Sequence, residues 1–259
     1  MANSEILIVD DNSPGVRCLT LNRPDRLNAL DGELTRRLLE TVRETAADET
    51  IKVIVVKATG RAFCAGADLK WLNEGTLADH HAHLAFQDDL ADLCNSLEAA
   101  PQVAVGAIQG FALAGGLELA LACDMLVVSE SAEMGDEHIR RNLIAGGGGT
   151  QRLPRKIGLA RGLYHLLSGA RMTGRQAAEY GLACAAVPTD QVEDKALELA
   201  RSLAKTDAKA LAMTKELVRR GLELPLREGL WLERWTQYRY RNASDAMDKG
   251  VAHFAEKRA

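Results

Sequence analysis

The chain has 259 residues, 47% of them hydrophobic and 26% charged, with a formal net charge of −4. That is enough for one large domain with a real core, and the acidic balance argues against a protein that grips nucleic acid through a basic surface. Five cysteines, at 18, 64, 94, 123 and 184, form no CxxC pair and read as reduced thiols rather than a disulfide frame or zinc site.

In chain order, ILIV (6–9) and VRCLTL (16–21) flank a cluster of turn formers, Asp10 to Gly15, and predict a hairpin. An amphipathic helix is expected over 31–48, with Leu34, Leu38, Thr41, Val42 and Thr45 on one face. IKVIVVKA (51–58) is a continuous apolar strand of the kind buried on both faces. Residues 59–75 read as loop and 77–98 as helix. VAVGAIQG (103–110), GGLELALAC (115–123) and MLVVS (125–129) then give strand, helix, strand, so an α/β core is expected.

After Val192 the composition shifts to Ala, Leu, Glu, Lys and Arg, with breaks at 206–207, 221–225 and 242–245. This predicts a core over 1–192 and consecutive helices over 193–259. Trp231 and Trp235, four apart, share a helix face and pack either within the chain or on another subunit. The start shows no secretory pattern and no apolar run approaches the roughly 20 residues of a membrane span, so a cytoplasmic protein without a membrane partner is expected.

Two small-residue loops follow buried strands: Arg61 to Leu69 and Gly110 to Leu119. Neither fits a phosphate cradle, since no Lys follows and no GxGxxG occurs. What they offer is close approach of backbone N–H groups to a ligand, and two such groups on one oxygen make an oxyanion hole. The second loop opens a helix, whose unpaired N–H groups already favour negative charge. Glu118 is the only charged residue between Ala104 and Cys123. So apolar a setting raises a carboxyl pKa and suits it to proton transfer, although a helix-start cap fits the pattern too.

FCAGADLK (63–70), QGFALAGGLELALACD (109–124) and GGGGTQRLPR (146–155) resemble three successive blocks of the crotonase, or enoyl-CoA hydratase/isomerase, superfamily. RPDRLNAL (23–30) is similar to its N-terminal block and HFAEKR (253–258) to its C-terminal end. The resemblance implies an α/β spiral of ββα units followed by a C-terminal helical region that assembles trimers or dimers of trimers. It implies Ala65 and Gly115 as the oxyanion amides and Glu118 as acid/base. Arg26, Leu27, Ala29, Ala67, Asp68 and Leu69 would line the coenzyme A path, with Phe254 and Lys257 at its nucleotide end. The implied activity is addition of water to a 2-enoyl-CoA, with no cofactor beyond the coenzyme A of the substrate. The alternatives are an isomerase or decarboxylase of the same superfamily, or a non-catalytic thioester- or RNA-binding relative.

The sequence departs from the family at its second glutamate. Counting back from the glycine block without a gap puts His138 there and Glu137 in the place of the preceding proline; a shift of one residue would restore Glu137. Neighbouring side chains of an extended segment point opposite ways, so only one of the two faces the site, and His138 is preferred. A histidine exchanges protons near neutral pH and makes a workable partner for Glu118. Arg140 and Arg141 read either as surface residues or as partners of an acyl carboxylate or a phosphate. His80, His81 and His83 do not share one helix face and are not expected to hold a metal; Cys64 is expected to pack rather than react.

Overall fold

Gly15, at φ 78°, closes the opening hairpin with Pro14 as a two-residue turn between β1 (Leu7–Ser13) and β2 (Val16–Leu21). The strand therefore runs through residues whose types suggest a turn, and an irregularity in register between Asp10 and Ser13 absorbs them. The structure, a computed structural model, describes residues 5–256. Helix α1 (Gly32–Ala46) starts where the Asp31 side chain accepts the Leu34 N–H at 2.9 Å, and it buries the five predicted residues together with Thr35 and Leu39.

Next come β3 (Val53–Ala58), β4 (Ala62–Cys64), a single turn α2 (Leu69–Trp71) and α3 (His80–Ala99), capped by Asp79. They are followed by β5 (Val103–Ile108), β6 (Phe111–Leu113), α4 (Gly115–Ala122), β7 (Met125–Ser129) and β8 (Glu133–Gly135). A 3-10 turn at His138–Arg141 leads to α5 (Gly149–Ile157), α6 (Leu159–Ser168), β9 (Met172–Thr173), α7 (Gly174–Glu179) and β10 (Ala185–Val187). The chain ends in α8 (Val192–Ala204), α9 (Ala208–Gly221), α10 (Leu226–Ala243) and α11 (Ala246–Glu256).

The strands sort into a six-stranded sheet, β1-β2-β3-β5-β7-β10, and a four-stranded one, β4-β6-β8-β9. In each of the pairs β3/β4, β5/β6 and β7/β8 the first strand joins the large sheet and the second the small one. The geometry repeats although the letters do not. Residues 59–75, expected as loop, supply β4 and α2. A three-residue strand of Ala, Phe and Cys has no periodicity to announce it and exists because β6 pairs with it.

One apolar core joins α1, α3 and α4 to one face of the large sheet, with Leu34, Leu38, Leu93, Leu97 and Leu117 fully buried. A second core lies on the other face, where Val192, Ala196, Leu197 and Ala200 of α8 pack on Val53, Val55, Val103 and Val105. The boundary expected at 192 therefore cuts off a helix that covers the sheet. The change that matters comes one helix later, since α9 buries no residue and α10 only Thr236. Trp231 and Trp235 are exposed, so the chain's own core does not use them. No described helix is long and apolar enough to cross a membrane.

Candidate active site

The two small-residue loops lie side by side because β4 and β6 are parallel neighbours and both chains leave the sheet at the same end. Gly66 turns the first loop at φ 95°, and a Cβ there would sit 3.4 Å from the Gly115 nitrogen. Ala114 takes φ 49° and ψ −120°, a strained setting for a residue with a side chain, and its N–H is held by the Gly135 carbonyl at 2.9 Å. The first intrahelical bond of α4 runs from the Glu118 N–H to the Ala114 carbonyl, so the Gly115 N–H has no helical partner.

The first-loop amide differs from the expected one. The Ala65 N–H donates to the Leu27 carbonyl at 3.1 Å, and an amide so engaged is not free to hold a substrate oxygen. A parallel bridge pairs Leu30 with Ala67 through the Leu30 N–H to Gly66 and the Asp68 N–H to Leu30. That pattern turns the Ala67 N–H away from Leu30; among the described residues it donates to no acceptor, and it lies 3.8 Å from the Cβ position of Gly115. The Ala67 N–H, and not the Ala65 N–H, is the first-loop amide left unengaged beside Gly115 among the described residues.

Glu118, one turn into α4, is fully buried. Its Oε1 accepts the Gly149 N–H at 2.9 Å, and its Oε2 takes no protein hydrogen bond among the described residues. Burial pushes its carboxyl above the ordinary carboxylate range, and the Gly149 N–H and the nearby His138 only partly offset that. The glycine block walls this side chain. A Cβ at Gly147 would fall 3.0 Å from the Glu118 carboxyl carbon, and one at Gly149 would fall 2.6 Å from Asp136 Oδ2. These two glycines are small because two carboxylates lie against them.

His138 opens the 3-10 turn with Nε2 3.9 Å from Glu118 Oε2. Its Nδ1 lies 2.9 Å from Asp136 Oδ1. Burial alone would push the imidazole down, but the bond to Asp136 and the two carboxylates outweigh it and hold His138 above its ordinary value. Glu137 is turned elsewhere: at φ 52° its carboxylate receives Arg171 Nε at 2.5 Å, with Arg140 and Arg141 at 3.9 and 3.6 Å. Both arginines thus face Glu137 and solvent. The geometry favours the ungapped register, with His138 and not Glu137 beside Glu118.

The chain matches the sequence profile of the family described as Enoyl-CoA hydratase/isomerase over residues 11–259. The chain belongs to that family. It is 35% identical to a "Probable enoyl-CoA hydratase" of Mycobacterium tuberculosis, over 100% of this chain and 98% of the relative. It is 35% identical to the 2,3-dehydroadipyl-CoA hydratase of Escherichia coli, over 94% and 93% of the two chains. A crystal structure of enoyl-CoA hydratase from Bacillus anthracis superposes with a TM-score of 0.93 at 33% identity, covering 98% of this chain and 97% of that one. The crotonase fold is therefore shown, and with it an enzyme of the hydro-lyase family.

The remaining residues expected along the coenzyme A path differ in exposure. Arg26 and Leu69 are exposed, Leu27 is half-buried at φ 53°, and Ala29 is buried. The Asp68 carboxylate is occupied, pairing with Arg23 at 3.2 Å and capping the Lys70 and Trp71 N–H groups. Phe254 falls in α11 with its side chain outside what the structure describes, and Lys257 lies outside the described residues. Cys64 is buried and its thiol is pushed up to about 12, as befits a packing residue. His80 and His81 are exposed, and no described group of three or more His, Cys, Asp or Glu could hold a metal ion.

Asn28 and Asp136 carry the site's shape without having stood out in the sequence. Asn28, fully buried at φ 54°, accepts the Arg23 N–H at 2.7 Å and donates to the Thr59 and Ala62 carbonyls, each at 2.8 Å. It ties the 23–30 loop to β4, so Asn28→Ala unpairs the half-buried Arg23 N–H and Thr59 carbonyl, while the Ala62 carbonyl keeps the Gln109 side-chain amide at 2.9 Å. A loss of about 2–4 kcal/mol in denaturant unfolding is expected, with a higher KM for thioester; a loss under about 0.5 kcal/mol would mean the loop is held by other contacts.

Proposed function

We propose that this chain adds water across the double bond of a 2-enoyl-CoA thioester. The observation that carries this reading is the approach of Glu118 Oε2 and His138 Nε2 to 3.9 Å beside the free amides of Ala67 and Gly115. The two amides hold the thioester oxygen and stabilise the negative charge it gains. Ionised Glu118 takes a proton from water, whose oxygen attacks the β-carbon and drives the double-bond electrons onto the thioester as an enolate. Protonated His138 then delivers its Nε2 proton to the α-carbon as the carbonyl re-forms. The proton left on Glu118 returns to His138 across the short gap, so one water is added and the protein is unchanged.

The reaction needs no cofactor beyond the coenzyme A of the substrate. Leu226, Leu230, Trp231, Trp235 and Tyr238 form an exposed apolar set on α10. They support the assembly of the C-terminal helices into a homotrimer or a dimer of trimers. The test is mass spectrometry of a panel of 2-enoyl-CoA thioesters incubated with wild type and His138→Ala. A water adduct made by wild type and slowed about 10²-fold or more in the variant is expected. With chromatography ahead of the mass measurement and a carboxylated acyl-CoA added to the panel, a new species of unchanged mass would make the enzyme an isomerase, loss of carbon dioxide from the carboxylated thioester a decarboxylase, and no product at all a binding protein.

A further inference from the structure

Among the groups around Glu118, Asp136 has no part in the scheme above, yet its placement is the most constrained. It follows β8, which pairs with β6 through Ala112–Met134 and Leu113–Gly135, and Gly135 also receives the Ala114 N–H. The ladder that carries the oxyanion loop therefore also fixes Asp136. The side chain is 3% exposed, bonded through Oδ1 to His138 Nδ1 at 2.9 Å, with Oδ2 against Gly149. Between the two, Glu137 takes its positive φ and is anchored to Arg171, which holds the turn that brings residue 138 back beside residue 136.

We propose that Asp136 is the positioning residue of His138, holding its Nδ1–H so that Nε2 is the nitrogen that exchanges a proton beside Glu118. The inference rests on the hydratase reading of the same site. A buried carboxylate only accepts, so the shared proton belongs to Nδ1. Nε2 is then a bare lone pair in the neutral ring and an N–H in the cation, which are the two states that a proton donor must alternate between. With a neutral partner at position 136, the amide could donate to Nδ1 instead and lock the proton on Nε2 of a neutral ring. Such a ring would return no proton from Glu118. The other charged or titratable groups on the turn and the elements beside it are Glu118 on α4, Arg140 and Arg141 on the turn itself, Glu137 with Arg171, and His165 on α6, which packs on that turn. Of these, His165 is bonded to the Ala170 carbonyl at 2.9 Å and the Glu137 carboxylate is matched by Arg171, leaving Asp136 and Glu118 as the anions that face the ring.

The experiment is nitrogen NMR of the His138 ring in the full-length protein, assigned by its loss in His138→Ala, alongside kinetics of Asp136→Asn. Wild type should show the Nδ1–H tautomer. Asp136→Asn should lower the ring's titration midpoint by about 1–3 pH units. Its kcat should fall about 10²-fold with KM changed less than about threefold, and the alkaline limb of kcat should move to lower pH. In the His138→Ala background the same substitution should cost nothing further. An unchanged midpoint and tautomer, or an equal loss in that background, overturns the proposal. If Asp136→Asn does not fold, the wild-type ring decides alone, since a proton on Nε2 with Nδ1 bare contradicts it. The ring measurement needs no turnover, so a failure of the hydration assay would sink the reaction and leave the role of Asp136 standing.

Discussion

Glu118→Gln lowers kcat for enoyl-thioester hydration by about 10²–10⁴-fold while KM changes little. The substitution keeps the shape of the side chain, and its amide oxygen can still accept the Gly149 N–H that Glu118 Oε1 accepts at 2.9 Å. What disappears is the anion at Oε2, the atom nearest His138, and with it the base that deprotonates water. The wild-type pH profile should be bell-shaped, because Glu118 must be ionised and His138 protonated. Both shifts are upward, so the acid limb should lie above the ordinary carboxylate range and the alkaline limb above the ordinary imidazole range. The limbs belong to the pair rather than to either residue, since the two groups interact.

The same variant separates chemistry from stability. A carboxyl whose pKa is raised on folding ionises more readily in the unfolded chain. Its charge therefore disfavours the folded state above the folded pKa, and that penalty vanishes as pH falls below the unfolded value. Removing it should leave Glu118→Gln as stable as wild type at neutral pH, or more so, with the difference fading in acid. Thermal unfolding at neutral and acid pH checks the sign. A Tm that falls at neutral pH would mean that the Glu118 charge holds the fold together, and the loss of kcat would then lose its catalytic meaning.

How far such a site can be read from letters depends on whether burial leaves a periodic trace. The α1 stripe and the strands 53–58, 103–108 and 125–129 do so, because long apolar runs report the faces they cover. The short strands β4, β6 and β8 do not, since each is three residues held by its neighbour. The amide at fault shows the limit well. Ala65 and Ala67 are the same residue type two positions apart, and only the pairing of the first loop with Leu27 and Leu30 decides which N–H is engaged. Counting back from the glycine block points to His138, and its Nε2 lies 3.9 Å from Glu118 Oε2. Asp136 was invisible, for its importance lies in a partner two residues on that a positive φ at Glu137 brings round. Covering of the sheet by α8 was hidden by a composition that matches the exposed helices after it.

Gly116→Ala is the substitution with the largest expected structural effect on the site. Helix propensity alone predicts the opposite, since Ala exceeds Gly inside a helix by about 1 kcal/mol. The surroundings decide the sign. A Cβ at Gly116 would fall inside the contact surface of the Cys64 carbonyl oxygen and 2.8 Å from the Cys64 carbonyl carbon and Cβ. Cys64 is fully buried at the end of β4, so neither the strand nor α4 can yield without moving the other. Separation of the two elements should cost about 3 kcal/mol or more and lower Tm by about 6–12 °C. Because β4 leads directly to Ala67 and Gly116 follows Gly115, the same displacement spreads the two oxyanion amides. The fraction of Gly116→Ala that folds should therefore lose about 10²–10³ in kcat. Gly221→Ala, at the end of α9 with no heavy atom within 4 Å of the added carbon, is the control for helix propensity and should raise stability by up to about 1 kcal/mol while leaving kcat at wild type. A Gly116→Ala protein with wild-type kcat would show that the spacing of the Ala67 and Gly115 amides does not depend on this contact.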